Sequence, residues 1–227
     1  MARADTAFLF DLDGTLVDSV YQHVLAWKEA LDREGVDLSV WRIHRKIGMS
    51  GGLFTHILLR ETGLDITEDR LDRLRRWHAE AYSRQSEQRA VQPLPGAREL
   101  LAFLTEQGIP WGIATSGRME TAAHNLHALG VDPAQVPVIT RDLVRHAKPD
   151  PDLFIAAADR LGVDITRSLV IGDSIWDMLA AQRARALGVG LLSGGYGQEE
   201  LERSGAFRVY EDPADLLRHI DEVVARS

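Results

Sequence analysis

The sequence predicts an α/β fold: a doubly wound parallel sheet of Rossmann-like type with an inserted all-helical cap domain. Two observations predict it. Short apolar runs alternate with helical stretches along most of the chain, as in a parallel sheet covered on both faces. Between residues 18 and 92 the alternation stops, and the pattern there is helical with no convincing strand.

Taken in order, Thr6 to Phe10 is an apolar run that ends in Asp11 and reads as a buried strand. Helical stretches follow at 20–34, 52–62 and 68–88, with a short one near 40–46. A polar stretch from Ser83 to Gln92 leads to Pro93-Leu94-Pro95-Gly96, which signals the return to the next element. Strand-like runs then recur at 110–115, 136–140, 168–172 and 188–192, with a weaker one at 207–210. Helical stretches near 96–107, 119–129, 151–161, 175–186 and 213–225 separate them. Gly194-Gly195-Tyr196-Gly197 reads as a loop, because it lacks the Gly-x-Gly-x-x-Gly spacing of a dinucleotide site. The expected division is a catalytic core of residues 1–17 and 93–227 and a helical cap of residues 18–92. Hinges are expected near Val17, Asp18 and Gly96.

Composition narrows the partners. With 26 Lys plus Arg against 34 Asp plus Glu, the formal net charge is −8. Such a chain is poorly suited to coat nucleic acid or an anionic membrane. The balance leaves a small anionic substrate open, since that needs only local positive charge. There is no cysteine, hence no disulfide, thiol nucleophile or thiolate metal site. Acidic residues at 5, 11, 13 and 18 interrupt any apolar leader, and no run approaches the roughly 20 apolar residues that span a bilayer. A cytoplasmic location and a monomer are expected.

The chemistry concentrates at the first strand end, Asp11-Leu12-Asp13-Gly14-Thr15-Leu16. In open parallel sheets ligands bind at the carboxyl ends of strands. Two carboxylates two residues apart can face one cleft there, and their mutual repulsion invites a hard divalent cation. An ionised Asp attacks phosphorus without prior deprotonation. A second Asp can protonate the leaving alkoxide and then take a proton from water. The bland alternative is an Asp-Gly turn after a buried strand.

Extended to Asp11-Leu-Asp-Gly-Thr-Leu-Val-Asp-Ser19, this segment resembles the signature of the haloacid dehalogenase superfamily. Three further elements follow in the superfamily's order: Thr115-Ser116, Lys148-Pro149-Asp150-Pro151, and Gly172-Asp173-Ser174-Ile175-Trp176-Asp177. The resemblance covers essentially the whole chain, helical insertion included. It implies Asp11 as nucleophile and Asp13 as acid and base, with Ser116 and Lys148 completing the catalytic set. It also implies phosphate contacts from Gly14, Thr15, Thr115 and Gly117. Magnesium would be held by Asp11, the backbone carbonyl of Asp13, Asp173 and waters, with Asp177 orienting those waters or Lys148. Lys148 is one of only three lysines, beside Lys28 and Lys46. It would serve as a point charge for a phosphate dianion and for Asp11.

In the insertion, the resemblance makes Arg45, Lys46 and Ser50 candidate substrate contacts around Gly48. The competing reading is a basic, solvated helix face. His44 adjoins this loop and is kept as a candidate. His124 and His127, one turn apart, have no third ligand and are read as surface residues. His23, His56, His78, His146 and His219 are read as structural or exposed. Asp13 is the residue that dehalogenating members lack, so phosphoryl transfer is expected. The implied function is hydrolysis of a small phosphomonoester, phosphoglycolate-like or sugar-phosphate-like. The alternatives are a β-phosphoglucomutase-like isomerase and a binding module without catalysis. Ile47 and Gly51 stand where mutases carry basic residues, which weakens the isomerase reading. No lysine follows Gly48 in the insertion to form the Schiff base that phosphonate-cleaving members use.

Overall fold

A computed structural model describes residues 6–64 and 67–224. Six parallel strands form one sheet: β1 (Phe8–Phe10), β2 (Trp111–Ala114), β3 (Val138–Ile139), β4 (Leu169–Gly172), β5 (Leu187–Leu191) and β6 (Ala206–Tyr210), in the order β3-β2-β1-β4-β5-β6. β1 lies between β2 and β4, with Leu9 opposite both Gly112 and Val170. The sheet therefore winds outward in two directions from β1. Such a switch point opens a crevice at the carboxyl ends of the strands, where Asp11 begins.

Strand residues point alternately to the two faces. Phe8, Phe10, Ile113, Leu169, Ile171, Val189 and Leu191 pack with α5 (Ala97–Glu106), α6 (Met119–Leu129) and α10 (Pro213–Arg218). Leu9, Ala114, Ile139 and Val170 pack with α7 (Asp152–Leu161) and α8 (Ile175–Ala184) on the other face. A central parallel strand buried on both faces must be apolar throughout, and Phe8-Leu9-Phe10 is. Two details differ from the sequence pattern. The stretch 213–225 breaks into α10 and α11 (Asp221–Val224), and a short α9 (Gln198–Arg203), absent from the sequence pattern, follows the loop 194–197.

Between β1 and β2 lie α1 (Val20–Arg33), α2 (Val40–His44), α3 (Gly51–Thr62) and α4 (Glu68–Gln88). They bury their own cluster, in which Val24, Trp27, Leu31, Phe54, Leu58, Leu71 and Leu74 meet. Ser50 caps α3 and Thr67 caps α4, each accepting a backbone N–H with its side-chain oxygen. The two chain crossings run side by side: Leu94 N–H donates to the Leu16 carbonyl and Asp18 N–H to the Gln92 carbonyl, each at 2.9 Å. Among the described residues no helix is long and apolar enough to cross a membrane.

Candidate active site

Gly14, at φ +84°, turns the chain sharply after β1. A Cβ there would lie 2.6 Å from Asp173 Oδ2, so the turn brings the first motif directly against the fourth. Asp11, Lys148, Asp173 and Asp177 meet beneath it, none more than 4% exposed. Lys148 bridges Asp11 and Asp177, the latter at 2.8 Å. Thr15 Oγ1 donates to Asp173 Oδ1 at 3.0 Å, and Ser174 Oγ to Asp177 Oδ2 at 2.6 Å.

Three buried carboxylates face one ammonium here. Burial is the main reason that the Asp11 carboxyl is pushed up to about 7; Lys148 opposes the rise, while Asp177 and Asp13 add repulsion. Burial, then repulsion from Asp177 and Asp11, raises Asp173 well above the usual carboxylate range. Burial alone would weaken the Lys148 ammonium, but Asp11 and Asp177 more than offset it and hold it protonated. One oxygen each of Asp11, Asp173 and Asp177 lies within 4.8 Å of the others. An all-oxygen donor set with uncompensated negative charge fits a hard divalent cation.

Asp13 sits in different company. Among the described residues its three side-chain partners all fall on Oδ1: Ser19 Oγ at 2.6 Å, Asn125 Nδ2 at 2.7 Å and His23 Nε2 at 3.4 Å. Burial would raise its carboxyl, but the attraction of His23 and these hydrogen bonds lower it overall. Asp11 and Asp13 both line a cavity of about 1280 Å³ between the strand ends and the helical insertion. Ser116, Gly117 and Arg118 border it from the sheet side, and Trp27, Phe54, Arg76 and His78 from the helices. The Ser116 hydroxyl is buried with no hydrogen-bond partner among the described residues. A buried donor left unpaired is costly unless something else binds it.

A family model described as haloacid dehalogenase-like hydrolase matches residues 6–185. The chain belongs to that family. It is 31% identical to the phosphoglycolate phosphatase of Rhodospirillum rubrum, over 92% of this chain and 88% of that one. It is 35% identical to hexitol phosphatase A of Escherichia coli, over 74% of each chain. The crystal structure of a hydrolase from Pseudomonas syringae superposes with a TM-score of 0.93 at 60% identity, covering 96% of this chain and 99% of that one.

In this hydrolase the residues singled out from sequence divide into those gathered at the cavity and those spent elsewhere. Asp11, Asp13, Thr115, Ser116, Gly117 and Lys46 line it. Lys148, Asp173 and Asp177 lie buried behind Asp11. Thr15 and Gly14 do not reach the cavity: the hydroxyl of one is committed to Asp173, and the other makes the turn. The Gly117 N–H, expected to meet phosphate, donates to Thr115 Oγ1 at 3.0 Å.

Arg45 and Ser50 are corrected more strongly. Arg45 ion-pairs with Glu200 and lies 4.2 Å over the Tyr196 ring, while its carbonyl accepts the Tyr196 hydroxyl at 2.8 Å. Ser50 is a helix cap. His44 donates from Nε2 to the Gly194 carbonyl at 2.7 Å. Arg45 and His44 dock the insertion onto the segment after β5, and neither they nor Ser50 line the cavity. Lys46 keeps its cavity position but pairs with Glu61 at 2.8 Å. His124 and His127 are exposed, as read from sequence.

Sequence reasoning missed the set around Asp13. Ser19 lies inside the quoted signature, yet it was given no role. His23 and His78 were set aside as structural or exposed, although His23 reaches Asp13 and stands 3.2 Å from His78. Asn125 carries the one readable signal. It is a polar residue on the buried face of α6, between Ala122, Leu126 and Leu129.

Proposed function

We propose that this chain is a magnesium-dependent phosphatase that hydrolyses a small phosphomonoester through an aspartyl-phosphate on Asp11. The reading is carried by one observation. Two aspartates two residues apart at one strand end occupy opposite surroundings: Asp11 beside Lys148 and two further carboxylates, Asp13 with one oxygen saturated and the other left over. Environments that push two titratable groups apart assign nucleophile and acid–base roles.

A magnesium ion held by Asp11, the Asp13 backbone carbonyl and Asp173, with Asp177 beside it, would supply the positive charge that keeps Asp11 ionised and offsets the phosphate oxygens. The chain's own residues do the rest. An Asp11 oxygen attacks phosphorus, the ester P–O bond breaks, and the departing oxygen takes a proton from Asp13. Water then attacks phosphorus and gives a proton to Asp13. The bond to Asp11 breaks, and inorganic phosphate leaves. A phosphoryl group beside Asp13 raises its proton affinity by like-charge repulsion, which equips a resting carboxylate for the acid half. Lys148 holds Asp11 in place and offsets charge on the transferring group. The unpaired Ser116 hydroxyl is a ready donor to a phosphate oxygen. Residues 18–92 act as a cap whose closure shields the transfer to Asp11 from bulk solvent and completes the site.

Support from relatives is consistent in class and divided in substrate, since one is named for phosphoglycolate and another for hexitol phosphates. The test is release of inorganic phosphate from 4-nitrophenyl phosphate and from a panel of metabolite phosphomonoesters, with and without magnesium. Turnover should require the metal and vanish in Asp11→Asn. Near-native rates in that variant would defeat the mechanism. Net isomerisation of a sugar phosphate with little free phosphate would replace hydrolysis by phosphoryl relocation.

A further inference from the structure

Asn125 is 1% exposed and sits in the middle of α6, 112 residues from Asp13. A buried amide inside a helix needs partners for every polar atom it hides. Here each partner is accounted for. Nδ2 donates to Asp13 Oδ1 at 2.7 Å, and Oδ1 accepts the Tyr82 hydroxyl at 3.0 Å. The same hydroxyl lies 2.8 Å from Nδ2. Tyr82, 2% exposed, belongs to α4 of the helical insertion, and its ring stacks on His23 at 3.9 Å with the planes 1° apart. Asn125 therefore joins three parts of the molecule: the strand-end carboxylate, a core helix and the insertion.

The bond is directional. Asn125 and Ser19 both address Oδ1, and His23 approaches that same oxygen, so the carboxylate is clamped in one rotamer. Oδ2 takes no hydrogen bond from any described residue, and Asp13 lines the cavity. A neutral amide is suited to this place, because it donates to the carboxylate without adding a charge that would neutralise it.

We infer that Asn125 is a positioning residue for proton transfer by Asp13, held by Tyr82 so that Oδ2 is the oxygen presented to the substrate. This rests on the phosphatase reading, and it ties proton transfer to the docking of α4. A rotated Asp13 would leave the alkoxide unprotonated as the ester bond breaks. An aryl oxide with a low proton affinity leaves without that help. Loss of positioning therefore shows as a dependence on the leaving group, which damage to packing or to phosphate binding does not produce.

The experiment compares kcat/KM of the native enzyme, Asn125→Leu and Tyr82→Phe on β-glycerol phosphate and on 4-nitrophenyl phosphate, with magnesium present. kcat/KM covers the steps through release of the alcohol, so it reports the proton donated to it. For Asn125→Leu the loss should be at least about 10-fold larger on β-glycerol phosphate, within the 10²–10⁴ that general acid catalysis supplies. Tyr82→Phe keeps the ring and removes only the hydroxyl; it should show the same skew, reduced to a few-fold. In an Asp13→Asn background, Asn125→Leu should cost nothing further on β-glycerol phosphate. Equal losses on both substrates, or no loss, overturn the inference, as does an undiminished effect of Asn125→Leu without Asp13. If Asn125→Leu does not fold, Tyr82→Phe decides alone by presence or absence of the skew. A native enzyme that turns over neither ester sinks the phosphatase reading, and this inference with it.

Discussion

Asp11 and Asp13 stand two residues apart, yet their surroundings share almost nothing. Around Asp11 every partner comes from the sheet side of the molecule: Lys148 before α7, and Asp173 and Asp177 around the start of α8. Around Asp13 three of the four residues of the group come from the stretch 18–92: Ser19, His23 on α1, and Tyr82 acting through Asn125. Burial, with added repulsion from neighbouring carboxylates, raises the Asp11 carboxyl; burial acts on Asp13 too, but His23 and the surrounding donors lower it overall. Strand pleating alone would send residues two apart to the same face; the surroundings differ because β1 ends at Phe10 and the chain is already turning at Gly14 when it passes Asp13. One tripeptide thus supplies a site that is complete within the core and a site that depends on the insertion staying docked.

The harshest way to break the comparison is to exchange the two residues' fates. Asp11→Asn removes the nucleophile and should cost on the order of 10⁴-fold or more in kcat. Asp13→Asn should cost about 10²–10⁴-fold, with the smaller loss on aryl esters. Rapid-quench phosphoenzyme assays separate them: a phosphorylated chain should form in Asp13→Asn with 4-nitrophenyl phosphate and never in Asp11→Asn. Phosphoenzyme in both would mean that the roles are misassigned.

Next in size is Lys148→Met, which touches only the Asp11 neighbourhood. Three buried carboxylates would lose the one cation that pairs with them among the described residues, and breaking a buried pair typically costs about 3–5 kcal/mol. Activity should fall by about 10³-fold. The informative measurement is thermal unfolding with and without magnesium. The stabilisation by magnesium should be larger in the variant than in the native protein, since the metal would be the remaining counter-charge. Equal stabilisation in both would show that the ion binds elsewhere.

Gly194→Ala is a smaller perturbation of the same side. A Cβ on Gly194 would overlap the Asp173 carboxylate, so the substitution must displace a candidate ligand. Magnesium affinity by titration calorimetry of the metal-free protein should weaken by about 10- to 100-fold, as when ligand supports are altered. An unchanged Kd would remove Asp173 from the proposed ligand set.

The two neighbourhoods also differ in how well they can be read from sequence. Each member of the Asp11 group ends a strand or opens a helix within a short motif: Asp11 after an apolar run, Asp173 and Asp177 spaced around the start of α8. Local rules reach such positions. The order of strands and the helical character of 18–92 are legible for the same reason, because periodicity is a local property. The Asp13 group is assembled from residues 19, 23, 82 and 125, and only Ser19 and His23 lie near it in sequence. Nothing local distinguishes His23 from His56, or Tyr82 from any core aromatic. Arg45 misled in the opposite way: a cation beside a glycine loop reads as a substrate contact, but Glu200 and Tyr196, more than 150 residues on, claim it. Docking contacts between segments so far apart are tertiary facts without a sequence signature. The polar interruption at Asn125 is the exception, and it is legible only as a buried amide in want of partners.

The mildest test turns on acid. His78 stacks on Trp27 at 4.1 Å, and burial, helped by repulsion from His23, holds its imidazole well below the ordinary value of 6.5. The unfolded chain therefore takes up this proton first, and His78 removes stability as pH falls through about 6.5. Its contribution at about pH 5.5 is bounded by the one unit between them, about 1.4 kcal/mol. The Asp11 side has the opposite sign. Asp11, raised to about 7, and Asp173 bind protons more readily in the folded state, so they add stability as pH falls and withdraw it as pH rises through about 7. Urea denaturation of the metal-free native protein should thus show a shallow pH dependence between about 5.5 and 7.5, because the two sides oppose each other. His78→Phe deletes one arm, and its stability relative to the native protein should improve toward low pH. Saturating magnesium deletes the other arm by holding the carboxylates ionised, and should leave a net loss of stability with acid. Should His78→Phe and the native protein run parallel across this range, His78 would not be held neutral by the fold, and the contrast between the two sides would reduce to the carboxylates alone.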